Sequence, residues 1–500
     1  MSSDQTVDTA VAADFYQMFI DGEWIGARGG GSLAIVDPAT EELVAHAASG
    51  GADEAKAAVE AARRAFDEGP WPRMTAPERA VVLRAAAAEV RERADELARL
   101  ETLQMGKLLG DSLYDMGDVA YCLEYAASLA TTHQGQQTTT VSPPSFGVVV
   151  REPIGVVVGI TPWNFPLLLG AWKFASALAA GNVVIIKPAS VSPLTTIEMA
   201  RIFDDVGLPR GVFQVVVGPG SKVGDYFCTS PLVDMVTLTG SLEVGVHIMR
   251  QAAGTVKKVG LELGGKSPNI VFADADFEAA LQGTLFGAFA NSGQVCCAGS
   301  RLILERPIYD EFTAALKQRA QAIKVGPGLD PSSEMGPLVS RDQLETTEHY
   351  VKLGVEEGAR LLCGGKRIVR KGYYYEPTIF VDVDNSMRIA QEEIFGPVLV
   401  VIPFDSEDEA IATANDTIYG LAGGVWTKDG AKALRVAQAV RAGTMYVNTY
   451  NWSPVELPWG GYKQSGVGRE LGSFGIDEFT EAKSVIFDTS SQPLGLYTSV

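Results

Sequence analysis

VVVGITPWNFPLLLGAWKFASALAAGNVVIIK, residues 156–187, joins two β-branched runs through a proline-bounded turn and one long apolar stretch. Residues 156–160 and 183–186 read as strands, and 167–180 reads as a helix. Both strands are apolar at nearly every position, as strands buried on two faces must be. The alternation continues downstream. A helix is predicted over 193–206 with Ser192 as its N-cap, then a strand over 212–217, a short helix over 221–228 and a strand over 233–239. A helix over 243–253, stopped by Gly254, and a strand over 256–263 complete the series. Strands separated by helices in this way imply a parallel, doubly wound sheet with right-handed crossovers, an α/β fold.

Working outward, residues 52–69 place Ala55, Val59, Ala62 and Phe66 at helical spacing, ended by Gly69. Residues 77–105 predict one longer helix, with Pro77 in its first turn and Gly106 as its stop. Residues 131–145, TTHQGQQTTTVSPPS, are polar and aperiodic and read as a connector. A second α/β region follows, with strands over 269–272, 301–304, 399–403, 423–426 and 444–447 and helices over 276–290, 308–323 and 431–440. Residues 484–487 read as a late strand. The chain shows no fixed-period repeat and no low-complexity tract.

With 500 residues, 46% of them hydrophobic, two or three domains are expected. A formal net charge of -20 argues against a nucleic-acid or anionic-membrane surface. The opening residues MSSDQTVDTAVAADFYQ lack the basic start and apolar core of a secretory signal. Apolar runs such as 154–160 are far too short to cross a bilayer. The five cysteines include scattered Cys122, Cys228 and Cys363 and no CxxC pair. Neither a disulfide framework nor a metal site is expected, and a reduced, cytoplasmic setting fits. None of the four histidines lies near the remaining two cysteines in sequence, which leaves a carboxylate as the candidate base.

In a parallel sheet, ligands bind beyond the carboxyl ends of the strands. Here those ends carry Asn164, Lys187, Gly218 with Gly220, Gly240 with Ser241, and Glu262. Glycine turns such as GPGSKVG (218–224) and GSLEVG (240–245) let backbone N–H groups approach a phosphate, with a helix N-terminus behind them. Neither has the strict GxGxxG spacing, and each taken alone also serves as a steric strand-to-helix turn. Lys187 could reach ribose hydroxyls or phosphate oxygens. Glu262, inside the apolar run VKKVGLELGG, is either desolvated toward a useful pKa or paired structurally. The stretch FANSGQVCCAGSR (289–301) sets Cys296 beside Cys297. A loop containing Gly293 can bring a sulfur and a backbone N–H to one point, as attack on a carbonyl requires. Small buried hydrophobes are the other reading of the pair.

Together these pieces resemble the aldehyde dehydrogenase superfamily over nearly the whole chain. The matching motifs are PWNFP (162–166), LELGGKSPN (261–269), GQVC (293–296), EEIFGPV (392–398) and PWGGYKQSGVGRELG (458–472). The resemblance implies a Rossmann-like NAD(P)-binding domain (1–130 and 154–263), a catalytic α/β domain (264–464) and a small β oligomerisation flap (131–153 and 480–500). It implies a cytoplasmic homodimer or homotetramer using NAD or NADP and no metal. Carried over by residue, Cys296 is the nucleophile, Glu262 the general base and Asn164 the side-chain donor to the oxyanion. Cys297 has no implied role. Lys187 and Glu393 match ribose contacts, and Trp163, Ser241 and Gly245 match the pyrophosphate region. Ile160, Ser190 and Gly220 complete the cofactor set. The implied reaction runs from aldehyde through a thiohemiacetal and a thioester to the carboxylic acid.

Two positions depart from the family pattern. Many NAD-preferring members carry Glu three residues after the lysine; here Ser190 stands there and cannot repel a 2′-phosphate, so use of both cofactors is expected. Betaine-aldehyde-type members surround a quaternary ammonium with aromatics. Phe165, Trp172 and Trp459 match that wall, but Ala290 leaves it incomplete. A cation site and a wider tunnel for a bulkier neutral aldehyde both stay open. Two other readings of the chain are a dinucleotide-binding protein without catalysis and a cofactor-independent thiol hydrolase.

Overall fold

The computed structural model describes residues 14–138 and 145–490. Residues 1–13, where the signal reading falls, 139–144 of the connector and 491–500 of the expected flap lie outside the described residues. The expected parallel strands are Val156–Ile160, Val183–Lys187, Phe213–Val215, Met235–Thr239 and Lys258–Glu262. Val156–Ile160 pairs with Val183–Lys187 on one side and Met235–Thr239 on the other. The winding direction therefore reverses between Val156–Ile160 and Met235–Thr239. Such a switch point opens a crevice beyond the strand ends. The helix between the first two strands, Leu168–Ala180, is buried on almost every side and stops at left-handed Gly181.

The sheet is mixed rather than wholly parallel. Gly466–Val467 closes one edge antiparallel to Lys258–Glu262. Met18–Ile20 and Glu23–Ile25 close the other. A second, seven-stranded sheet runs Arg360–Cys363, Thr378–Val381, Val398–Phe404, Arg301–Glu305, Pro268–Val271, Ala422–Trp426, Thr444–Val447. All its neighbours are parallel except the first pair. A third sheet pairs Thr480–Asp488 with Ser145–Pro153, and that strand with Gln136–Thr138. Ser145–Pro153 and Thr480–Asp488 thus carry the described part of the expected flap, and the late strand is longer than the predicted 484–487. None of the helices among the described residues is long and apolar enough to cross a membrane.

Several expectations need correction. The predicted 77–105 helix is two, Ala76–Glu92 and Ala94–Met105, broken at Arg93. Arg93 is held there by Glu96 at 2.7 Å and Glu198 at 2.6 Å. Gly106 is the stop, in the left-handed conformation. Ser192 is not a cap: Leu194–Asp205 starts after Pro193, and the Ser192 hydroxyl donates to the Trp163 carbonyl at 3.5 Å. Val256 is not in a strand; it is left-handed and exposed. The expected 221–228 helix is a π-turn, Gly220–Gly224, followed by Asp225–Thr229. Helices absent from the sequence reading include Leu109–Thr132, Arg341–Glu356 and Glu407–Asn415.

Candidate active site

The loop before Cys296 is shaped by three successive left-handed residues, Asn291, Ser292 and Gly293. For a side-chain-bearing residue this costs about 1 kcal/mol or more, so the loop must be held. Asn291 Nδ2 donates to the Asn164 carbonyl at 3.2 Å, and Ser292 Oγ donates to the Gly336 carbonyl at 2.7 Å. Gln294, fully buried, donates to the Asn291 carbonyl at 3.0 Å and accepts from the Val339 N–H at 2.9 Å. Gly293 admits no side chain: a Cβ would lie 2.2 Å from the Gly396 carbonyl oxygen. Asn164 Nδ2 in turn donates to the Gln294 carbonyl at 3.0 Å. One of its two N–H groups is thereby used and the other remains.

Cys296 and Cys297 then form the corner of a tight turn, closed by Ala298 N–H to the Val295 carbonyl at 3.0 Å. Their thiols are within hydrogen-bonding reach of each other. That contact, burial and the nearby Glu393 and Glu262 carboxylates hold the Cys296 thiol well above its usual range. The same contact holds Cys297 below it.

Glu262 sits at the last position of its strand with 5% exposure, and its Oε2 has no partner among the described residues. Burial, reinforced by the Glu470 carboxylate, raises its pKa well above the ordinary value; Lys173 and Arg469 oppose the shift. Lys173 itself is buried and paired with Glu470 at 2.5 Å. Beyond Glu262 the chain passes between two groups by glycine. A Cβ on Gly264 would lie 2.0 Å from Glu393 Oε2, and one on Gly265 would lie 2.6 Å from the Cys296 carbonyl oxygen. The Gly265 N–H donates to Glu393 Oε1 at 3.2 Å. Burial raises Glu393 to about 7. The fold thus gathers Cys296, Asn164, Glu262 and Glu393, drawn from four separate motifs.

The other strand ends form a second group. Lys187 is buried, donates only to its neighbour's Pro188 carbonyl at 3.1 Å and makes no ion pair among the described residues. Desolvation brings its pKa down to about 8. Ser190 Oγ reaches the Gly218 carbonyl at 3.4 Å, which ties it to the turn leading to exposed Gly220. Ser241 caps Leu242–Ala252, its Oγ accepting from Val244 N–H at 3.3 Å. Gly245 lets that helix approach closely, since a Cβ there would meet Leu263 at 2.6 Å. Half-buried Ile160 ends the first strand opposite Lys187, and Trp163 packs edge-on against Phe395 at 5.2 Å. An under-partnered buried ammonium, the half-used Glu393 carboxyl and helix-initiating backbone N–H groups suit the hydroxyls and phosphates of a dinucleotide.

A cavity of 540 Å³ runs to the two cysteines and is lined by Phe165, Trp172, Ala290 and Trp459, the four residues selected from the sequence. Trp172 and Trp459 meet at 5.6 Å and 61°. The sequence reading missed its opposite wall, which includes Asp111, Asp115 and Asp118 of Leu109–Thr132 together with Tyr450 and Trp452. Asp115 pairs with Lys107 at 2.5 Å, and the Lys107 ammonium lies 4.1 Å over the Phe165 ring. Asp111 and Asp118 make no ion pair among the described residues. Burial raises both, Asp118 to about 6. The buried stripe Met116, Val119, Ala120, Leu123, Ala126, Ala127 and Ala130 is the helical signal that would have placed this wall.

A thiol at the foot of a tunnel, with a buried ammonium, a half-used carboxyl and a helix N-terminus at the neighbouring strand ends, defines a cofactor-linked oxidoreductase of carbonyl compounds. The chain belongs to the aldehyde dehydrogenase family, NAD(P)-dependent oxidoreductases acting on aldehydes: the family's sequence model, described as "Aldehyde dehydrogenase family", matches residues 24–485. It is 47% identical over 486 residues to a betaine aldehyde dehydrogenase of Bacillus subtilis, covering 96% of this chain and 99% of that one. It is 43% identical to a chloroplastic aminoaldehyde dehydrogenase of Arabidopsis thaliana, covering 97% and 98% of the two chains. The crystal structure of a Staphylococcus aureus betaine aldehyde dehydrogenase in complex with NAD+ superposes with a TM-score of 0.95 at 43% identity, covering 97% of each chain.

Proposed function

We propose that this chain oxidises an amino- or trimethylammonio-substituted aldehyde to its carboxylic acid, using NAD or NADP, with Cys296 as nucleophile. The observation that carries the reading is the gathering of Cys296, Asn164, Glu262 and Glu393 where the tunnel meets the strand ends. Cys296 Sγ attacks the aldehyde carbon as the thiolate, its proton having passed to solvent, which leaves Glu262 unprotonated for the later step. The free N–H of Asn164 and the Cys296 backbone N–H donate to the oxyanion that forms. A nicotinamide cofactor would supply the hydride acceptor, and Glu393 and Lys187 would hold its ribose hydroxyls. Loss of hydride leaves Cys296 acylated as a thioester. Glu262 then takes a proton from water, the water oxygen attacks the thioester carbon, and the acid departs from the regenerated thiol. Ile160, Trp163, Ser190, Gly220, Ser241 and Gly245 complete the cofactor cradle in this reading. Ser190 carries no charge to repel a 2′-phosphate.

A positively charged substrate is supported by two unpaired, partly buried carboxylates, Asp111 and Asp118, beside the aromatic rings of Phe165, Trp172 and Trp459. Cation–π contact and charge would act together there. The names of the relatives agree. A bulkier neutral aldehyde is the second reading, favoured by Ala290, which leaves one side of the tunnel open. We further propose a division into a cofactor unit (1–130 and 154–263), a catalytic unit (264–464) and a flap (131–153 and 480–500). We also propose a homodimer or homotetramer, and five free thiols accord with a reducing, cytoplasmic setting.

The deciding experiment follows cofactor reduction by wild type, Cys296→Ala and Cys297→Ala, each with NAD and with NADP at equal concentration. Cys296→Ala is expected to be inactive, and Cys297→Ala to keep most activity. Reversal of the two would move the nucleophile by one residue. A preference for NAD beyond about a hundredfold, about 2.7 kcal/mol, would refute dual cofactor use.

A further inference from the structure

Tyr450 lines the tunnel and is 4% exposed, yet the reaction derived above gives it no part. Its ring fills a slot that three separate segments leave open by glycine. A Cβ on Gly424 would lie 2.7 Å from Tyr450 Cε2, one on Gly287 2.9 Å from Cδ1 and one on Gly299 2.9 Å from Cζ. The hydroxyl at the end of this ring donates to the Cys297 carbonyl at 3.1 Å. Burial raises the Tyr450 pKa well above the ordinary range, so the donated proton stays in place.

A peptide unit is planar, with its C=O and N–H pointing in opposite directions. The Cys297 carbonyl shares its unit with the Ala298 N–H, which donates to the Val295 carbonyl at 3.0 Å. The Val295 carbonyl in turn shares its unit with the Cys296 N–H. That N–H has no acceptor among the described residues, which leaves it for the oxyanion. Two peptide units are thus joined head to tail, with a phenol at one end and the oxyanion donor at the other. Hydrogen bonds in such a series polarise one another.

We propose that Tyr450 is a positioning residue for the oxyanion, acting through two linked peptide units to aim and polarise the Cys296 N–H. The phenol fixes the Cys297–Ala298 unit, and that unit fixes the Val295–Cys296 unit. Each draws electron density away from the next N–H, so the last becomes a stronger donor as charge develops on the substrate oxygen. Loss of a whole oxyanion donor costs about a hundredfold or more in rate. Loss of the first member of a series weakens the last by about a tenth to a third, so Tyr450→Phe is expected to slow oxyanion formation about fivefold. The inference rests on Cys296 being the nucleophile, which is read separately: oxidation that survives Cys296→Ala would remove that reading whatever Tyr450→Phe does.

The test compares three reactions of Cys296 in the full-length enzyme: oxidation of propanal with NAD, cleavage of p-nitrophenyl acetate, and alkylation by iodoacetamide, followed by mass on the Cys296 peptide. The first two pass through a tetrahedral oxyanion. The third displaces iodide and forms none. Tyr450→Phe keeps the ring and removes the donor. It is expected to lower kcat/KM for propanal and for the ester by the same factor, about fivefold, while the alkylation rate and the affinity for NAD stay as in wild type. Gly299→Ala keeps the phenol but would set a methyl 3.0 Å from its oxygen, and the same pattern is expected. Either variant carries the test if the other does not fold. Alkylation slowed as much as oxidation would assign Tyr450 to packing of the turn and overturn the proposal. Unchanged kcat/KM for both carbonyl substrates would overturn it as well.

Discussion

Glu262 bears the heaviest electrostatic load of any single residue at the site. It is enclosed, one oxygen is without a partner, and a second carboxylate, Glu470, stands near. A proton is therefore held to higher pH than on an ordinary carboxylate, and a base works only once that proton has left. The rate of thioester hydrolysis is expected to climb with pH through this elevated pKa. For stability the sign is opposite: the folded chain binds the proton more tightly than the unfolded chain, so stability falls as pH rises through the same region. Glu262→Gln should abolish the rising limb, slow hydrolysis by about a hundredfold or more and produce a burst of reduced cofactor. A variant without a burst and with the pH profile intact would remove Glu262 from this role. Residues of this kind were legible because they end strands, where sequence order fixes position. Ser192 was misread because a hydroxyl before a helical run has two uses, and its burial, invisible in sequence, selects the bond to Trp163.

Among the elements, Leu109–Thr132 has the greatest effect on substrate choice and was the one left unread. Gly110, Gly117 and three aspartates dilute its apolar period, so its first half lacks a clear stripe. The same spacing sets Asp111, Asp115 and Asp118 on one face. Lys107 neutralises the middle carboxylate and leaves the outer two unbalanced. Asp118→Asn is expected to lower kcat/KM for an ω-aminoaldehyde by about tenfold, about 1.4 kcal/mol, while changing that for the neutral alkanal of equal length little. Equal losses for both substrates would assign Asp118 to packing and leave the neutral-aldehyde reading standing. The break at Arg93 was equally hidden: no glycine or proline marks it, and Glu198, which helps to hold it, lies about a hundred residues away.

For the molecule as a whole, the two wound sheets were readable from alternation, because strands covered on both faces leave long apolar runs. The edges were not. Edge strands are short, and their partners come from remote segments that no local pattern joins. The flap illustrates the consequence of an edge for assembly. Thr480–Asp488 pairs with Ser145–Pro153 along nine positions, yet Ile486 is 71% exposed on one face and Val150 and Phe487 lie open on the other. With the proposed homo-oligomer joined through this flap, Ile486→Asp is expected to shift sedimentation toward a smaller species while far-ultraviolet dichroism is retained. An unchanged sedimentation coefficient would exclude this strand from the subunit contact.

The pairing of Gly466–Val467 with Lys258–Glu262 also has a temporal side. A ribosome releases the strand ending in Glu262 long before it has made its neighbour. For that interval the nascent chain presents an open row of backbone donors and acceptors, a template for another nascent chain. Chaperone demand should therefore peak late in synthesis and end only when the last tenth of the polypeptide emerges.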